Sequence, residues 1–377
     1  MNLLDVYNKI PLEPKTSKGS WVTDITGIEY LDFYGGHGVI SIGHQHPNWK
    51  KALSEQMDKI SFYSNAVNIP IQEEAAKALK EVSGLEDYEV FFCNSGAEAN
   101  ENALKLAAWQ QNRKKIVALK NAFHGRSLAA LQATDNANIL SPLGSFENTE
   151  FVDINDLEGI KKALNNDVAA FIVEGIQGVA GVFEPQEDFL LLAQELCAKH
   201  DICLIMDEVQ SGAGRSGKFF AFQHYPIQPN IITVAKGLGN GFPVAAVLCK
   251  KGLTYKKGML GTTFGGNHLA CAAVKAVCET IAEENLLKNA QIQGEKLKKS
   301  LTSLSAIAEL RGKGLMLGIA LKSGDASSAI AELQKRRIIT GSAACKDTLR
   351  ILPPLSISDE ELEFFIQAIT QALKQTA

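Results

Sequence analysis

The chain has 377 residues and a formal net charge of −4 at pH 7. Its 46% hydrophobic and 21% charged residues are typical of a globular protein, and the lack of a basic surplus argues against binding to nucleic acid or to anionic membranes. The length suits one large domain with a smaller companion.

Targeting signals and cysteine usage indicate where such a chain works. The N-terminus has no apolar run long enough for a signal peptide, and no stretch approaches the length of a membrane span. The seven cysteines show no C-x-x-C spacing, and the seven histidines show no metal-ligand spacing. We therefore predict a cytoplasmic protein with reduced thiols, no metal, and no membrane or nucleic-acid partner.

The middle of the chain alternates short apolar runs with longer helical patterns. This alternation predicts an α/β fold with a mainly parallel sheet that helices cover on both faces. The predicted strands are 89–93, 115–119, 169–173, 202–206, 231–235 and 244–248, and the main predicted helices are 97–111, 187–199 and 269–283.

The two ends of the chain lack this alternation. Near the C-terminus, Ser358 followed by Glu361 forms a capping box that predicts the start of a helix. We predict a large domain at 46–265 and a smaller α+β domain built from 1–45 and 266–377.

Lys236 and Asp207 each lie at the end of a predicted strand. A lysine amine can condense with the carbonyl of a pyridine cofactor, and an aspartate can keep the ring nitrogen protonated so that the ring accepts electrons. Because ligands bind at the carboxyl ends of strands in open α/β sheets, we expect the two side chains to face one site. An ordinary salt bridge is the alternative role for Asp207.

Two turns have the composition of phosphate sites. Ser95 and Gly96 precede the predicted helix at 97–111, where unpaired N–H groups and the helix dipole favour an anion. Ser and Gly also cap many helices without binding anything. The second turn, Thr262-Thr263-Phe264-Gly265-Gly266-Asn267, would be read as a loop by itself.

Several other side chains are candidates for the same site. Phe123 can stack on a flat cofactor, and Arg126 can hold a carboxylate through two parallel hydrogen bonds unless it is a solvated loop arginine. Gln210 could reach a ring hydroxyl or lie on the surface. Arg350, a lone cation in an apolar segment, is either a second carboxylate receptor or part of a structural ion pair.

Together these motifs resemble the class III aminotransferases, which are pyridoxal-phosphate enzymes of fold type I. The resemblance covers almost the whole chain in order, and the motifs are jointly specific. They are Asn94-Ser95-Gly96-Ala97-Glu98, Phe123-His124-Gly125-Arg126, Asp207-Glu208-Val209-Gln210, Ala235-Lys236-Gly237-Leu238-Gly239-Asn240-Gly241 and Thr263-Phe264-Gly265-Gly266-Asn267, with Tyr30-Leu31-Asp32-Phe33, Gly43-His44-Gln45-His46-Pro47 and Arg350.

The resemblance implies a large domain with a seven-stranded type of sheet, pyridoxal 5'-phosphate as cofactor, and a homodimer with shared active sites. Its catalytic residues would be Lys236, as Schiff-base lysine and proton shuttle, and Asp207 on the pyridine nitrogen. The other implied cofactor contacts are Ser95, Gly96, Ala97, Phe123 and Gln210, with Thr263 reaching the neighbouring subunit's phosphate.

For the substrate, the resemblance implies that Arg126 holds a carboxylate of the amino donor and the side-chain carboxylate of glutamate. Arg350 would hold glutamate's α-carboxylate, and Tyr7 and His37 are further predicted substrate contacts. The compact length and residues 123–126 resemble the branch of the class that acts on N2-acetylornithine. The expected reaction therefore moves its terminal amino group to 2-oxoglutarate, in arginine biosynthesis.

Three positions depart from the family pattern. Val179 follows Ile176-Gln177-Gly178 where the family has a glutamate that pairs with the second arginine. Gly175 replaces a common proline, and His37 replaces an apolar residue or a tyrosine. Val179 and His37 bear on the acyl group and keep N-succinylornithine open as the donor. Free ornithine and 4-aminobutyrate are further alternative donors, and an aminomutase or decarboxylase is an alternative reaction.

Overall fold

The computed structural model of the protein describes residues 3–376 and contains three sheets. The central sheet has seven strands in the order β4-β10-β9-β8-β7-β5-β6. Its strands are β4 (Tyr88–Cys93), β5 (Lys115–Leu119), β6 (Thr149–Val152), β7 (Val168–Glu174), β8 (Cys203–Asp207), β9 (Ile231–Val234) and β10 (Ala245–Lys250). The predicted α/β fold is confirmed.

Strand β10 runs opposite to its two neighbours, whereas β9, β8, β7, β5 and β6 pair in parallel. Strands β7 and β8 are buried along their whole length, as expected for strands with helices on both faces. Because β10 begins at the edge where the parallel strands end, the loop before it joins their carboxyl ends.

Ten α-helices of at least five residues accompany the sheets within the described residues, besides the four-residue helix Gly35–Gly38 and the short 3-10 helices Ala137–Ile139, Ala221–His224 and Lys236–Leu238. The ten are Pro47–Lys59, Pro70–Ser83, Gly96–Gln111, Leu128–Gln132, Leu157–Ala163, Glu187–Lys199, His268–Glu283, Leu286–Thr302, Ser327–Lys335 and Asp359–Thr376. The predicted capping box begins the last one, since Ser358 Oγ accepts from the Glu361 amide (3.2 Å) and Glu361 Oε2 accepts from the Ser358 amide (2.9 Å). In the described part of the chain, no helix is long and apolar enough to cross a bilayer.

Two four-stranded sheets are formed by the chain ends. The first contains β1 (Pro14–Lys18), β2 (Trp21–Asp24), β3 (Glu29–Asp32) and β13 (Ile338–Ile339), in that order. The second contains β11 (Ile307–Lys313), β12 (Met316–Leu321), β15 (Thr348–Ile351) and β14 (Gly341–Ser342).

The N- and C-terminal segments contact each other directly. Strand β13 pairs in parallel with β3, and the rings of Phe33 and Phe365 stack with centroids 4.0 Å apart. These contacts agree with a smaller domain drawn from both termini. The boundaries at 46 and 265 stay a prediction.

Candidate active site

A cavity of about 440 Å³ lies at the carboxyl edge of the parallel strands. The loop before β10 closes one side with Phe242, Pro243 and Val244. The predicted site residues that line the cavity are Ser95, Gly96, Ala97, Phe123, Arg126, Asp207, Gln210 and Lys236.

The wall that ends strand β4 has the geometry of an anion site. Ser95 is the N-cap of the helix Gly96–Gln111, and its hydroxyl accepts from the Glu98 amide at 3.2 Å. A Cβ at Gly96 would lie 2.5 Å from Val209 Cγ1, so only glycine fits this close approach. The first amides of the helix have no intrahelical acceptor and line the cavity, which suits a phosphate.

Asp207 is at the cavity floor and is 3% exposed. Its Oδ2 accepts from Asn100 Nδ2 and from His124 Nδ1, both at 2.7 Å, and its Oδ1 accepts from the Val209 amide at 2.9 Å. A carboxylate oxygen accepts two hydrogen bonds comfortably, so Oδ1 keeps room for one more donor. A protonated pyridine nitrogen is such a donor.

The groups that hold Asp207 were not all found in the sequence. Asn100 Nδ2 also donates to the His124 carbonyl (2.7 Å), and Asn100 Oδ1 accepts from Thr233 Oγ1 (2.6 Å). Thr233 pairs with Asp207 across the β8–β9 ladder. A signal was present, because Thr233 is the one polar residue in the run Ile231-Ile232-Thr233-Val234. Asn100 gave no such signal within its helix.

Lys236 begins the turn after β9 and lines the same cavity as Asp207. Its φ of 47° places a non-glycine residue in the left-handed region, a strained conformation that is found most often at functional sites. Burial lowers the pKa of the Lys236 ammonium, and the charges of Asp207 and Glu174 partly oppose this shift. The amine is therefore easier to deprotonate than that of a surface lysine.

Glu174 was also missed by the sequence reasoning. It ends β7 opposite Asp207, and its carboxyl accepts from the amides of Phe123 (3.1 Å) and Gly178 (3.2 Å). Burial raises the pKa of Glu174 to about 7, with a further contribution from the Asp207 charge and opposition from His124. Glu174 thereby ties together the loops that carry Phe123 and Val179.

Two arginines were predicted to receive carboxylates, and their surroundings differ. Arg126 is exposed at the mouth of the cavity, whereas Arg350 is 5% exposed. Arg350 donates to the Ser342 carbonyl (2.6 Å), Gln210 Oε1 (3.2 Å) and the Tyr34 hydroxyl (3.4 Å). Burial lowers the pKa of Arg350. Neither arginine has a carboxylate at ion-pair distance among residues 3–376.

Four predicted residues do not line this cavity, and one of them, Arg350, is connected to it through Gln210, which does line it. Tyr7 is 75% exposed, so the structure does not bring it to the site of its own chain. Thr263 is exposed. The preceding residue, Thr262, is half-buried, and its hydroxyl accepts from Asn94 Nδ2 at 2.9 Å. His37 is exposed, but its carbonyl accepts from Gln210 Nε2 at 3.0 Å, which links it to the site.

The model of the class III aminotransferases matches residues 5–373, and the chain belongs to this family. It is a pyridoxal-phosphate-dependent transaminase, with amino-acid and 2-oxo-acid substrates. It is 40% identical to an acetylornithine aminotransferase of Bacillus anthracis, over 99% of this chain and 97% of that protein. It is 39% identical to an acetylornithine aminotransferase of Bacillus subtilis, over 99% of this chain and 97% of that protein.

Solved structures of the family have the same fold. The chain resembles the ornithine aminotransferase from Toxoplasma gondii ME49 with a TM-score of 0.91 and 30% sequence identity, covering 99% of this chain and 93% of that one. A second structure of ornithine aminotransferase from Toxoplasma gondii, with partial occupancy of pyridoxal phosphate at its active site, gives a TM-score of 0.90 at 31% identity, covering 98% of this chain and 92% of that one.

The residues present fit this cofactor. The helix N-terminus at Gly96 and Ala97 would take its phosphate, the free acceptor capacity of Asp207 Oδ1 would take its ring nitrogen, and Lys236 would take its aldehyde. The half-buried Phe123 lines the space between them. These individual roles stay predictions.

Proposed function

We propose that this chain transfers the terminal amino group of N2-acetylornithine to 2-oxoglutarate, reversibly, as a step of arginine biosynthesis in the cytoplasm. The observation that carries the proposal is that Lys236 and Asp207 share one cavity at the ends of neighbouring strands. The acetylornithine aminotransferases that are about 40% identical over almost the full chain support the choice of donor.

Pyridoxal phosphate, when bound, supplies an aldehyde that condenses with amines and a pyridinium ring that accepts electrons. The Lys236 amine would hold and move a proton beside the reacting carbon of the substrate, because burial lowers its pKa and makes it a more readily available base than a surface lysine. Asp207 stabilises the positive ring nitrogen from a buried position, where electrostatic effects are strong.

Arg126 and Arg350 would each bind a different carboxylate of the substrates. Acetylornithine has one carboxylate, far from its reacting amine, and Arg126 at the cavity mouth would bind it. In 2-oxoglutarate, one carboxylate adjoins the reacting carbon and the other lies at the far end, so Arg350 and Arg126 would bind one each. The buried guanidinium of Arg350 has only neutral hydrogen-bond partners among residues 3–376, which suits this use, because a carboxylate ligand would supply the missing negative charge.

N-succinylornithine is the second candidate donor. Val179 lines the cavity where the family has a glutamate, and neither Arg126 nor Arg350 has a carboxylate partner among the described residues. The resulting surplus of positive charge favours a donor with an additional carboxylate.

A homodimer is part of the proposal. Thr263 lies outside the cavity of its own chain, next to an apolar surface formed by Phe62, Tyr63, Val67 and Phe264, which are 39%, 54%, 49% and 60% exposed. The rings of Phe62 and Phe264 are 5.4 Å apart, so the surface is continuous there. An apolar surface of this kind favours association, and a second copy would bring Thr263 to a neighbouring phosphate.

A donor panel tests the chemistry. The purified enzyme, with 2-oxoglutarate, is offered N2-acetylornithine, N-succinylornithine, free ornithine and 4-aminobutyrate, and glutamate formation is followed. The highest kcat/KM for N2-acetylornithine supports the proposal. A higher value for N-succinylornithine selects the second candidate, and no glutamate from any donor contradicts both.

Sedimentation tests the dimer. Phe264→Asp should give a monomer and weaken retention of pyridoxal phosphate, because a charge cannot be buried in an apolar contact without a partner. Leu191→Asp likewise replaces an exposed apolar side chain with an aspartate, on the helix Glu187–Lys199, and is the matched control. A monomeric wild-type enzyme with full activity would contradict the shared site.

A further inference from the structure

Arg350 is held by a group of neutral acceptors. A guanidinium has five N–H donors, and three of them are used by the Ser342 carbonyl, Gln210 Oε1 and the Tyr34 hydroxyl. Two donors therefore remain for a ligand, which is the number that a bidentate carboxylate needs.

His37 connects two of these acceptors. Its carbonyl accepts from Gln210 Nε2 at 3.0 Å, and its Nδ1 is hydrogen-bonded to the Tyr34 hydroxyl. The residues Arg350, Tyr34, His37 and Gln210 thus form a closed ring of hydrogen bonds. If His37 is protonated on Nε2, its Nδ1 accepts a hydrogen bond from the Tyr34 hydroxyl. The lone pairs of the hydroxyl oxygen are then free to accept from Arg350.

The backbone at His37 is unusual and fixed by packing. The φ values of Gly35, Gly36, His37 and Gly38 are 56°, 56°, 68° and 77°, so four successive residues lie in the left-handed region. A Cβ on Gly35 would be 2.9 Å from the Leu352 carbonyl oxygen, which leaves no room for a side chain. Glycine adopts such angles freely, so only His37 is strained, and strain at a non-glycine residue persists only where the surroundings over-determine it.

Tyr34 is placed by the strand that faces Arg350. Gly341 is the register partner of Arg350 between β14 and β15, and a Cβ there would lie 2.0 Å from Tyr34 Cε2. The glycine thus makes space for the tyrosine ring, whose centroid is 5.9 Å from Arg350 Cζ.

Residue 179 adjoins this ring of hydrogen bonds. A Cβ on the preceding Gly178 would be 1.8 Å from Gln210 Oε1, the oxygen that accepts from Arg350. Val179, the next residue, lines the same cavity as Gln210 and has no charge, so Arg350 has only neutral hydrogen-bond partners among residues 3–376.

We propose that Tyr34 and His37 are specificity-determining residues that hold Arg350 in place without neutralising it. Arg350 then stays open to the carboxylate beside the reacting carbon of 2-oxoglutarate or glutamate. A donor whose reacting amine has no adjacent carboxylate does not use this receptor. The inference rests on the proposed function in assigning Arg350 to 2-oxoglutarate.

The test separates the two half-reactions. Absorbance of the bound cofactor follows its conversion by the preferred donor of the panel alone, and its return by 2-oxoglutarate alone. Binding of glutarate, an unreactive five-carbon dicarboxylate, is measured by its perturbation of the same absorbance. Tyr34→Phe removes the hydroxyl, and His37→Asn keeps a residue that tolerates left-handed backbone but is too short to reach Tyr34. Tyr255→Phe, which removes a surface hydrogen bond to Glu89, is the matched control.

We expect Tyr34→Phe and His37→Asn to weaken the binding of 2-oxoglutarate and glutarate about tenfold, which is the effect of one hydrogen bond to a charged group. The rate of the donor half-reaction should stay within about twofold of the wild type. Val179→Glu should weaken the same two ligands by a similar factor, because it supplies a competing carboxylate. Unchanged glutarate and 2-oxoglutarate constants in Tyr34→Phe and His37→Asn would overturn the inference, as would an equal loss in both half-reactions.

A failure of the proposed function is distinguishable from a failure of this inference. If N2-acetylornithine is not the preferred donor but the variants lose glutarate and 2-oxoglutarate selectively, the donor assignment is wrong and the role of Tyr34 and His37 stands.

Discussion

Asp207 at the floor of the cavity is 3% exposed and accepts three hydrogen bonds, whereas Arg126 at the mouth is exposed and has no carboxylate at ion-pair distance among the described residues. The floor is built from strand ends and one helix, so its groups are positioned before any ligand arrives. The mouth is built from loops and depends on the ligand for its charge balance. This difference indicates that the floor sets the chemistry and the mouth sets the choice of substrate.

The largest effect is expected at the floor. Lys236→Ala should lower turnover by at least about 10³-fold, because no other group supplies both the amine and the proton transfer. Lys120→Ala, at an exposed pair with Asp153, is the control. The assay is glutamate formation together with the visible absorption of the bound cofactor. Turnover within tenfold of the wild type would show that the floor does not set the chemistry.

Asp207→Asn should lower kcat by about 10²-fold or more, because a neutral amide cannot stabilise a positive ring nitrogen. His124→Asn, which shortens the donor to Asp207 Oδ2, should have a smaller effect in the same direction. His200→Asn repeats that change at the end of the helix Glu187–Lys199 as a control. Equal kcat values for Asp207→Asn and the wild type would contradict the ring-nitrogen role.

Glu174 gives a prediction on stability against pH. Its pKa is about 7 in the fold and about 4.5 as an isolated group, so its contribution is fully present below pH 4.5 and is lost as the pH rises through 7. Glu174→Gln removes this dependence. Between pH 5 and pH 8, the free energy of unfolding should fall by about 2 to 3 kcal/mol more for the wild type than for the variant. Parallel curves from urea denaturation would contradict the prediction.

At the mouth, Arg126→Lys should raise the KM of acylornithine about tenfold and leave the absorption of the bound cofactor unchanged, because one ammonium cannot replace a bidentate guanidinium. Lys218→Ala, outside the cavity, is the control. A lower kcat with an unchanged KM would show that Arg126 acts in the chemical step, as the floor residues do. The distinction between the two regions would then fail.

Much of the floor could be predicted from the sequence because strand ends are marked by local patterns. The predicted strand 115–119 and helix 187–199 have the bounds of the structure, and the other predicted strands differ by at most two residues at either end. Strand β6 was missed, since its sequence Thr149-Glu150-Phe151-Val152 has little apolar character. The hydrogen bonds of Asn100 and Glu174 depend on long-range packing, which no local pattern reports.

The predicted substrate contacts were harder to place from the sequence, for a physical reason. Arg350 could be named as a lone cation, but the sequence left its role even between a ligand receptor and an ion pair. Two of its actual partners, Tyr34 and Gln210, come from distant segments of the chain, whereas Ser342 lies on the neighbouring strand β14. The position of Tyr7 outside the cavity likewise depends on tertiary structure, and a second subunit is needed to test its predicted role.

The pairing of β3 with β13 has a consequence for synthesis on the ribosome. Strand β3 is translated well before its parallel partner Ile338–Ile339, which shortly precedes Arg350. The central sheet can form while β3 still has an open edge, exposed to unwanted pairing with other chains. In a nascent chain, the cavity that would hold pyridoxal phosphate should therefore form before Arg350 is in position to bind an acidic substrate.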